Sequence, residues 1–395
     1  MKTLREQFLE HVGQTSPSPM LVEVAKAEGP FFWTPEGKRY FDLISGVSVS
    51  NVGHSNPRVV EAVQAQAAKY MHVMVYGEMV EAPQVRYARL IAEHLPEPLS
   101  SVYFLNSGAE AVEGALKLAK RYTGRREIIS FRNAYHGSTH GALSVMDFPE
   151  HREAYGPLLP GVSFIGYNDP QGLGSITERT ACVIVEPVRG EAGVQLPAEG
   201  FLEKLRDRCD ETGALLIFDE IQTGFGRTGR MFAMEHSGVV PDIVCLAKAL
   251  GGGMPLGAFV SSAKIMGVLT HNPALGHIST FGGHPVCCAA GLAAMEHILE
   301  EGLAEQAESK GRLYESLLSV HPAVSEVRRA GLLMAVELGE SGKLYRIMEL
   351  FKEEGILSDW FLFCDTAFRI SPPLTITEDQ IRESAEIVIR CLDAL

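Results

Sequence analysis

The segment Asp242-Ile-Val-Cys-Leu-Ala-Lys248-Ala-Leu-Gly-Gly-Gly253-Met-Pro-Leu-Gly257 runs an apolar stretch into a lysine and then into three consecutive glycines. Residues 256–261 read as a second apolar strand, and Lys248 is the only charged residue between Asp242 and Lys264. A cation at the end of a buried strand is costly unless it is paired or snorkels to water. Burial also lowers the pKa of an amine and frees it to attack a carbonyl. From this segment alone Lys248 is either a snorkelling lysine or a nucleophile, and the rest of the chain has to decide.

A chain of 395 residues has length for two domains, and 21% charged with 46% hydrophobic residues is an ordinary globular balance. The net charge of −14 lacks the basic footprint that nucleic-acid binding requires. Seven cysteines without a Cys-x-x-Cys spacing read as reduced core residues, so neither a disulfide framework nor a metal site is expected. The start of the chain has no basic-then-apolar signal, and no run approaches the ~18 apolar residues of a membrane span. A cytoplasmic, soluble protein is the expectation.

Residues 1–20 are polar, end in Ser-Pro-Ser-Pro and read as an extended arm. The stretch 31–44 predicts a hairpin across Pro35-Glu-Gly37, and Asn56-Pro57 predicts the start of a capped helix. Short buried strands are expected at 102–105, 128–131, 181–185 and 214–218, with a helix at 201–211. Apolar strands separated by helices predict an α/β fold with a mostly parallel sheet covered on both faces, whose ligands sit at the strand C-termini. Beyond His284-Pro285 the pattern changes to helices at 286–301 and 303–320, a strand at 332–338, a helix at 343–354 and a strand at 367–370. A last helix starts from Thr377, where Thr377-Glu-Asp-Gln380 has capping-box spacing. The expected division is a large domain over 56–284 and a smaller α+β domain formed by 285–395 together with the N-terminal 1–55.

Asn106-Ser-Gly-Ala109 turns the first of these strands into a helix with Ala109, Val112, Ala115, Leu116, Ala119 and Tyr122 on one face. Its N-terminus is either an ordinary turn or a phosphate site, since free N–H groups point outward there. Asp219 ends a strand of apolar residues and needs a cationic partner, which can be Lys248 or the protonated ring nitrogen of a cofactor. Tyr135 and His136 follow another strand and offer a face for stacking. A reactive lysine, a carboxylate for a pyridinium nitrogen and a helix N-terminus for a phosphate are together what pyridoxal phosphate requires. Gly224-Phe-Gly226-Arg-Thr-Gly229 matches the dinucleotide pattern G-x-G-x-x-G. That motif must open a crossover helix directly from the strand, whereas residues 219–223 intervene and 230–238 make a poor helix.

Seven motifs in order resemble those of class III pyridoxal-phosphate aminotransferases, the group of ornithine, acetylornithine and 4-aminobutyrate aminotransferases. They are Asn106-Ser-Gly-Ala-Glu-Ala111, Tyr135-His-Gly137, Glu186-Pro-Val-Arg-Gly-Glu-Ala-Gly193, the runs 219–229 and 247–257, Ser279-Thr-Phe-Gly-Gly283 and Arg369-Ile-Ser-Pro-Pro-Leu374. The resemblance implies fold type I, pyridoxal 5'-phosphate as cofactor, and ping-pong transfer of an amino group from an amino acid or amine to 2-oxoglutarate or pyruvate. It implies that Lys248 bonds the cofactor and moves the proton at the substrate carbon, and that Asp219 keeps the ring nitrogen protonated. Gln222 is implied to approach the ring hydroxyl, Tyr135 to stack on the ring with His136 beside it, and Ser107, Gly108 and Ala109 to bind the phosphate. Glu186 belongs to the same cofactor-binding set. Thr280 is implied to reach the phosphate of a neighbouring subunit, hence a homodimer. Arg369 would grip a substrate carboxylate and Glu191 would mask it when the other substrate is bound.

Three departures bear on the substrate. Ser138 stands where the group usually has an arginine, Val47 where ornithine aminotransferases have a tyrosine, and His284 where an asparagine is common. Losing a cation and a phenol weakens recognition of a second carboxylate or a remote amine, which leaves the donor open and is compatible with broader amine acceptance. An aminomutase, racemase or decarboxylase of this fold would share Lys248 and Asp219, because the pocket chooses which bond breaks. A catalytically silent binding protein would have no use for Lys248, Asp219 and Arg369 together.

Overall fold

A computed structural model describes residues 2–75 and 77–395. The predicted extended arm is helical at its start. Thr3 Oγ accepts the Glu6 N–H while the Glu6 carboxylate accepts from Thr3 N, and this capping box nucleates the helix Leu4–His11 although none of its residues is buried. Strands β1 (Lys26–Glu28), β2 (Phe31–Trp33) and β3 (Arg39–Asp42) form an antiparallel ladder, with Gly37 in the left-handed region (φ 85°) at the predicted hairpin. Asn56 then caps the helix Pro57–Lys69 by accepting the Arg58 N–H.

The central sheet holds seven strands: β4 (Ser101–Leu105), β5 (Glu127–Phe131), β6 (Val162–Ile165), β7 (Thr180–Val185), β8 (Leu215–Asp219), β9 (Ile243–Leu246) and β10 (Gly257–Ser261). Their spatial order is β4-β10-β9-β8-β7-β5-β6. Neighbours from β9 to β6 are parallel, and β10 runs antiparallel to both β9 and β4. Every residue of β7 to β10 is buried, as continuous apolar runs require. The strand expected buried at 102–105 is instead an edge strand. Val102 and Tyr103 stay half-buried because no strand covers their outer side. The helix Gly108–Thr123 packs Ala111, Ala115 and Leu118 onto Cys182, Ile217, Cys245 and Phe259 on one face. On the other, Leu216, Phe218 and Val244 meet Phe201 and Leu205 of the helix Phe201–Thr212.

The last third of the chain adds β11 (Glu326–Ala330), β12 (Leu333–Glu337), β13 (Ile356–Leu357), β14 (Trp360–Phe361) and β15 (Cys364–Ile370). β11-β12-β15-β14 form an antiparallel sheet, while β13 pairs in parallel with β3, so the two ends of the chain share a sheet. The final helix Glu378–Asp393 carries the predicted capping box at Thr377 and Gln380. The helix Pro285–Glu300 packs along Pro57–Lys69 and Ala82–Glu93. His284 caps it, its Nδ1 accepting the Val286 N–H two residues on, as Asn56 accepts the Arg58 N–H at the helix Pro57–Lys69. Among the described residues no helix is long and apolar enough to cross a membrane.

Candidate active site

A cavity of about 590 Å³ opens at the C-terminal ends of the parallel strands, and Lys248, Asp219, Ser107, Tyr135, His136 and Glu186 all line it. Lys248 follows β9 at φ 50°, a left-handed conformation that is strained for a lysine. Gly252 and Gly253 continue the turn at φ 59° and 102°. A β-carbon on Gly252 would stand 2.8 Å from the Ala290 carbonyl, so the turn is pressed against the helix Pro285–Glu300 and only glycine fits. Burial lowers the Lys248 pKa, and Arg369 acts in the same sense against the carboxylates of Glu191, Asp219 and Glu186.

Asp219 ends β8 with its carboxylate buried. Oδ1 accepts the Ile221 N–H at 3.0 Å and Oδ2 lies 2.7 Å from His136 Nδ1. The sequence left its partner open between Lys248 and a ring nitrogen. Among the described residues the protein group it meets is His136, and it forms no ion pair with Lys248. Glu186 receives the N–H groups of Tyr135 (3.2 Å) and Gly190 (3.4 Å). Burial, with Asp219 adding to it, pushes its pKa up to about 7 against the pull of His136 and the Tyr135 N–H.

At the other end Ser107 caps the helix Gly108–Thr123, its Oγ accepting the Glu110 N–H. Gly108 lies under Ile221, whose Cδ1 would be 2.9 Å from a β-carbon there, and Gly257 of β10 lies directly against the Ser107 carbonyl. Ser107, Gly108 and Ala109 line the cavity, so the helix N-terminus faces it. His136 Nε2 and Gln222 Nε2 are buried and unpartnered. A helix N-terminus, a lysine of lowered pKa, a buried carboxylate and two orphaned polar atoms around one cavity fit pyridoxal phosphate.

The remaining expected residues lie around this centre. Ser138 lines the cavity rim, exposed, with its Oγ 3.4 Å from the Tyr135 hydroxyl. Val47 stands in a left-handed kink (φ 63°), and its neighbour Val49, which the sequence reading missed, faces the cavity instead. Thr280 is exposed beside Ser279, which accepts from Asn106 Nδ2 at 2.8 Å. Arg369 on β15 is fully buried and gives Nη2 to Glu191 Oε1 at 2.7 Å, while Nε and Nη1 have no partner. Burial opposes the charge on Glu191, yet Arg369 and Lys248 outweigh it and hold its pKa below the usual value.

The G-x-G-x-x-G stretch has a structural task. Arg227 within it is fully buried and binds the Leu332 and Pro372 carbonyls and Asn51 Oδ1, fastening the two ends of the chain to the central body. After it comes a short 3-10 turn, Ala233–His236, in place of a crossover helix.

Strand order and a cavity lined by a buried lysine and a helix N-terminus match a fold-type-I pyridoxal-phosphate enzyme. The chain belongs to the class III aminotransferases: the family model described as aminotransferase class-III matches residues 12–392. It is 44% identical over 367 residues to an acetylornithine aminotransferase of Methanopyrus kandleri, covering 92% of each chain. It is 41% identical over 362 residues to a putrescine aminotransferase of Pectobacterium atrosepticum, covering 87% of this chain and 76% of that one. A solved ornithine aminotransferase of Toxoplasma gondii, with PLP at partial occupancy in its active site, superposes with a TM-score of 0.91 at 33% identity, covering 98% and 93%. The protein is therefore a pyridoxal-phosphate-dependent aminotransferase.

Proposed function

We propose that the cavity is a ping-pong transamination site that takes an amino acid or amine as donor and a 2-oxo acid, 2-oxoglutarate or pyruvate, as acceptor. The observation that carries this is the meeting of Lys248, the Asp219–His136 pair and the Ser107–Gly108 helix end on one cavity, with the Glu191–Arg369 pair close enough to act on the Lys248 charge. Bound pyridoxal phosphate supplies an electron sink for bonds at the amino-bearing carbon. Lys248 Nζ, whose proton burial makes easier to release, would hold the cofactor and would take and return the proton at that carbon. Asp219, oriented by His136 and the Ile221 N–H, would be the acceptor for the ring nitrogen's proton. The N–H groups after Ser107 would receive the phosphate, Tyr135 would lie against the ring, and Gln222, whose Nε2 is unpartnered, would serve its hydroxyl.

Arg369 offers Nε and Nη1 to a substrate carboxylate, and Glu191 neutralises it when the substrate brings none. With Ser138 in place of a cation, the donor side accepts amines without a second carboxylate. The likeness to both an acetylornithine and a putrescine aminotransferase supports the broader amine acceptance that Ser138 and Val47 leave open.

The chain works as a homodimer in this reading, with Thr280 reaching the neighbouring site. Val80, 92% exposed, with the exposed Met79, and the exposed Ile278 and Phe281 flanking Thr280 in the chain, support a covered interface. Seven free cysteines suit a reducing cytoplasm. The division into 56–284 and the two-ended 1–55 with 285–395 is supported by the β3–β13 pairing, with the helix Pro285–Glu300 lying across the seam.

The test is a panel of amines and amino acids mixed with stoichiometric holoenzyme and no acceptor. Spectral conversion of the cofactor to its amino form, with release of the matching carbonyl product, is expected for the true donor. Carbon dioxide release or racemisation without that conversion would overturn the transamination reading.

A further inference from the structure

Glu191 is held by more than Arg369. The turn between β14 and β15 brings two successive N–H groups onto it: Leu362 N donates to Glu191 Oε2 at 3.2 Å and Phe363 N to the Glu191 carbonyl at 3.0 Å. The same hairpin shapes the seat of the arginine. Arg369 N donates to the Asp359 carbonyl at 2.8 Å, and the Phe361 ring lies 4.6 Å from the guanidinium carbon. At the tip, the half-buried Phe363 packs its ring 5.0 Å from that of Phe148, which precedes the helical turn Pro149–Arg152 in the segment after β5. The Leu362 side chain is exposed, so it is the backbone and the Phe363 anchor that fix this turn.

We propose that the Leu362–Phe363 turn is a latch on the Arg369 gate: its N–H groups hold Glu191 in the masking position, and the Phe148–Phe363 contact sets how firmly. For a substrate carboxylate to replace Glu191, the Glu191 side chain must leave Leu362 N as well as Arg369 Nη2. A hydrogen bond to a charged acceptor is among the stronger ones, so its loss counts directly against carboxylate-bearing substrates. Nε and Nη1 of Arg369 are unpartnered but closed off from solvent in the masked arrangement, so a carboxylate reaches them only once the Glu191 side chain has moved. Phe148 and Phe363 are thereby positioning residues for the choice between carboxylate-bearing and carboxylate-free substrates. This rests on the reading of Arg369 as the carboxylate clamp.

The test measures binding of glutarate, a dicarboxylate with no amino or oxo group, to the holoenzyme by calorimetry. Leu362→Pro removes the N–H, and Leu362→Ala trims the side chain but keeps it. Leu362→Pro is expected to bind glutarate about tenfold tighter, the scale of one hydrogen bond to a charged group, and Leu362→Ala to match the parent. In steady state, Leu362→Pro should lower KM for the 2-oxo acid and raise it for a carboxylate-free amine while kcat changes far less. Phe363→Ala loosens the anchor and should shift glutarate binding the same way, which decides the matter if proline disrupts the turn. No tightening in either variant overturns the latch. Arg369→Ala tests the underlying reading separately: if it binds glutarate as the parent does, the clamp fails and the latch with it.

Discussion

His136 Nδ1 and Asp219 Oδ2 meet at 2.7 Å, both side chains closed off from solvent at the end of β8. With the Ile221 N–H on the other oxygen, the carboxylate is held by two donors and has one orientation. Its charge is the feature the ring nitrogen needs, so Asp219→Asn should keep the fold and still bind cofactor but lower turnover by about a hundredfold or more. His136→Ala, which removes an orienting partner and leaves the anion, should cost less, about tenfold. Steady-state rates beside far-ultraviolet dichroism check both, and near-normal turnover in Asp219→Asn would remove its proposed role.

Gly257 matters for a different reason. A β-carbon there would run into the Ser107 carbonyl and lie 2.9 Å from Ser107 N, at the cap of the proposed phosphate-binding helix. Gly257→Ala should therefore displace that cap and weaken pyridoxal phosphate by about tenfold or more, with β10 still formed. Cofactor titration followed by protein fluorescence measures the loss. An unchanged affinity would mean that the helix end does not hold the phosphate.

Much of this geometry is visible in the residues themselves. The apolar runs of β7 to β9 announce a parallel sheet because both faces are buried, and Asn56-Pro57 and Thr377 to Gln380 announce helix starts through local hydrogen bonds. Elements whose burial is partial are harder to see: β6 and β11 are half-buried edge strands without an apolar run, and the helix Leu4–His11 has no buried face at all. Lys248 could be singled out because it is a lone charge beside a strand, and Asp219 because it closes the apolar run Ala214 to Phe218. The pairing of Asp219 with His136, the approach of Gly257 to Ser107 and the hold of Leu362 on Glu191 depend on which strand ends become neighbours, and no local pattern encodes that.

Glu186 gives a pH signature. Its pKa rises from the ordinary 4.5 to about 7, chiefly through burial, so between those values the folded chain keeps a proton that the unfolded chain has released. Stability from this group is complete below about pH 4.5 and is lost as the pH rises through 7, on the order of 3 kcal/mol in all. Glu186→Gln cannot titrate. The cofactor-free variant should show a shallower fall in unfolding free energy from pH 5 to 7 than the parent in denaturant titrations, whatever its absolute stability. Parallel slopes would show that Glu186 is charged throughout.

The Arg369–Glu191 pair makes the sharpest functional prediction, because its two members should fail in opposite directions. Arg369→Ala removes the clamp and leaves Glu191 as a buried anion near Lys248, so use of a 2-oxo acid should fall by about a hundredfold or more while a carboxylate-free amine is affected far less. Glu191→Gln leaves the arginine without its mask. A carboxylate-free amine then meets an uncompensated buried cation and should react about tenfold more slowly, while the oxo-acid half-reaction is preserved or improved. Single-turnover kinetics of each half-reaction separate these effects from product release. If both variants lower both half-reactions by the same factor, the pair is a structural salt bridge and the two substrates must be sorted elsewhere in the cavity.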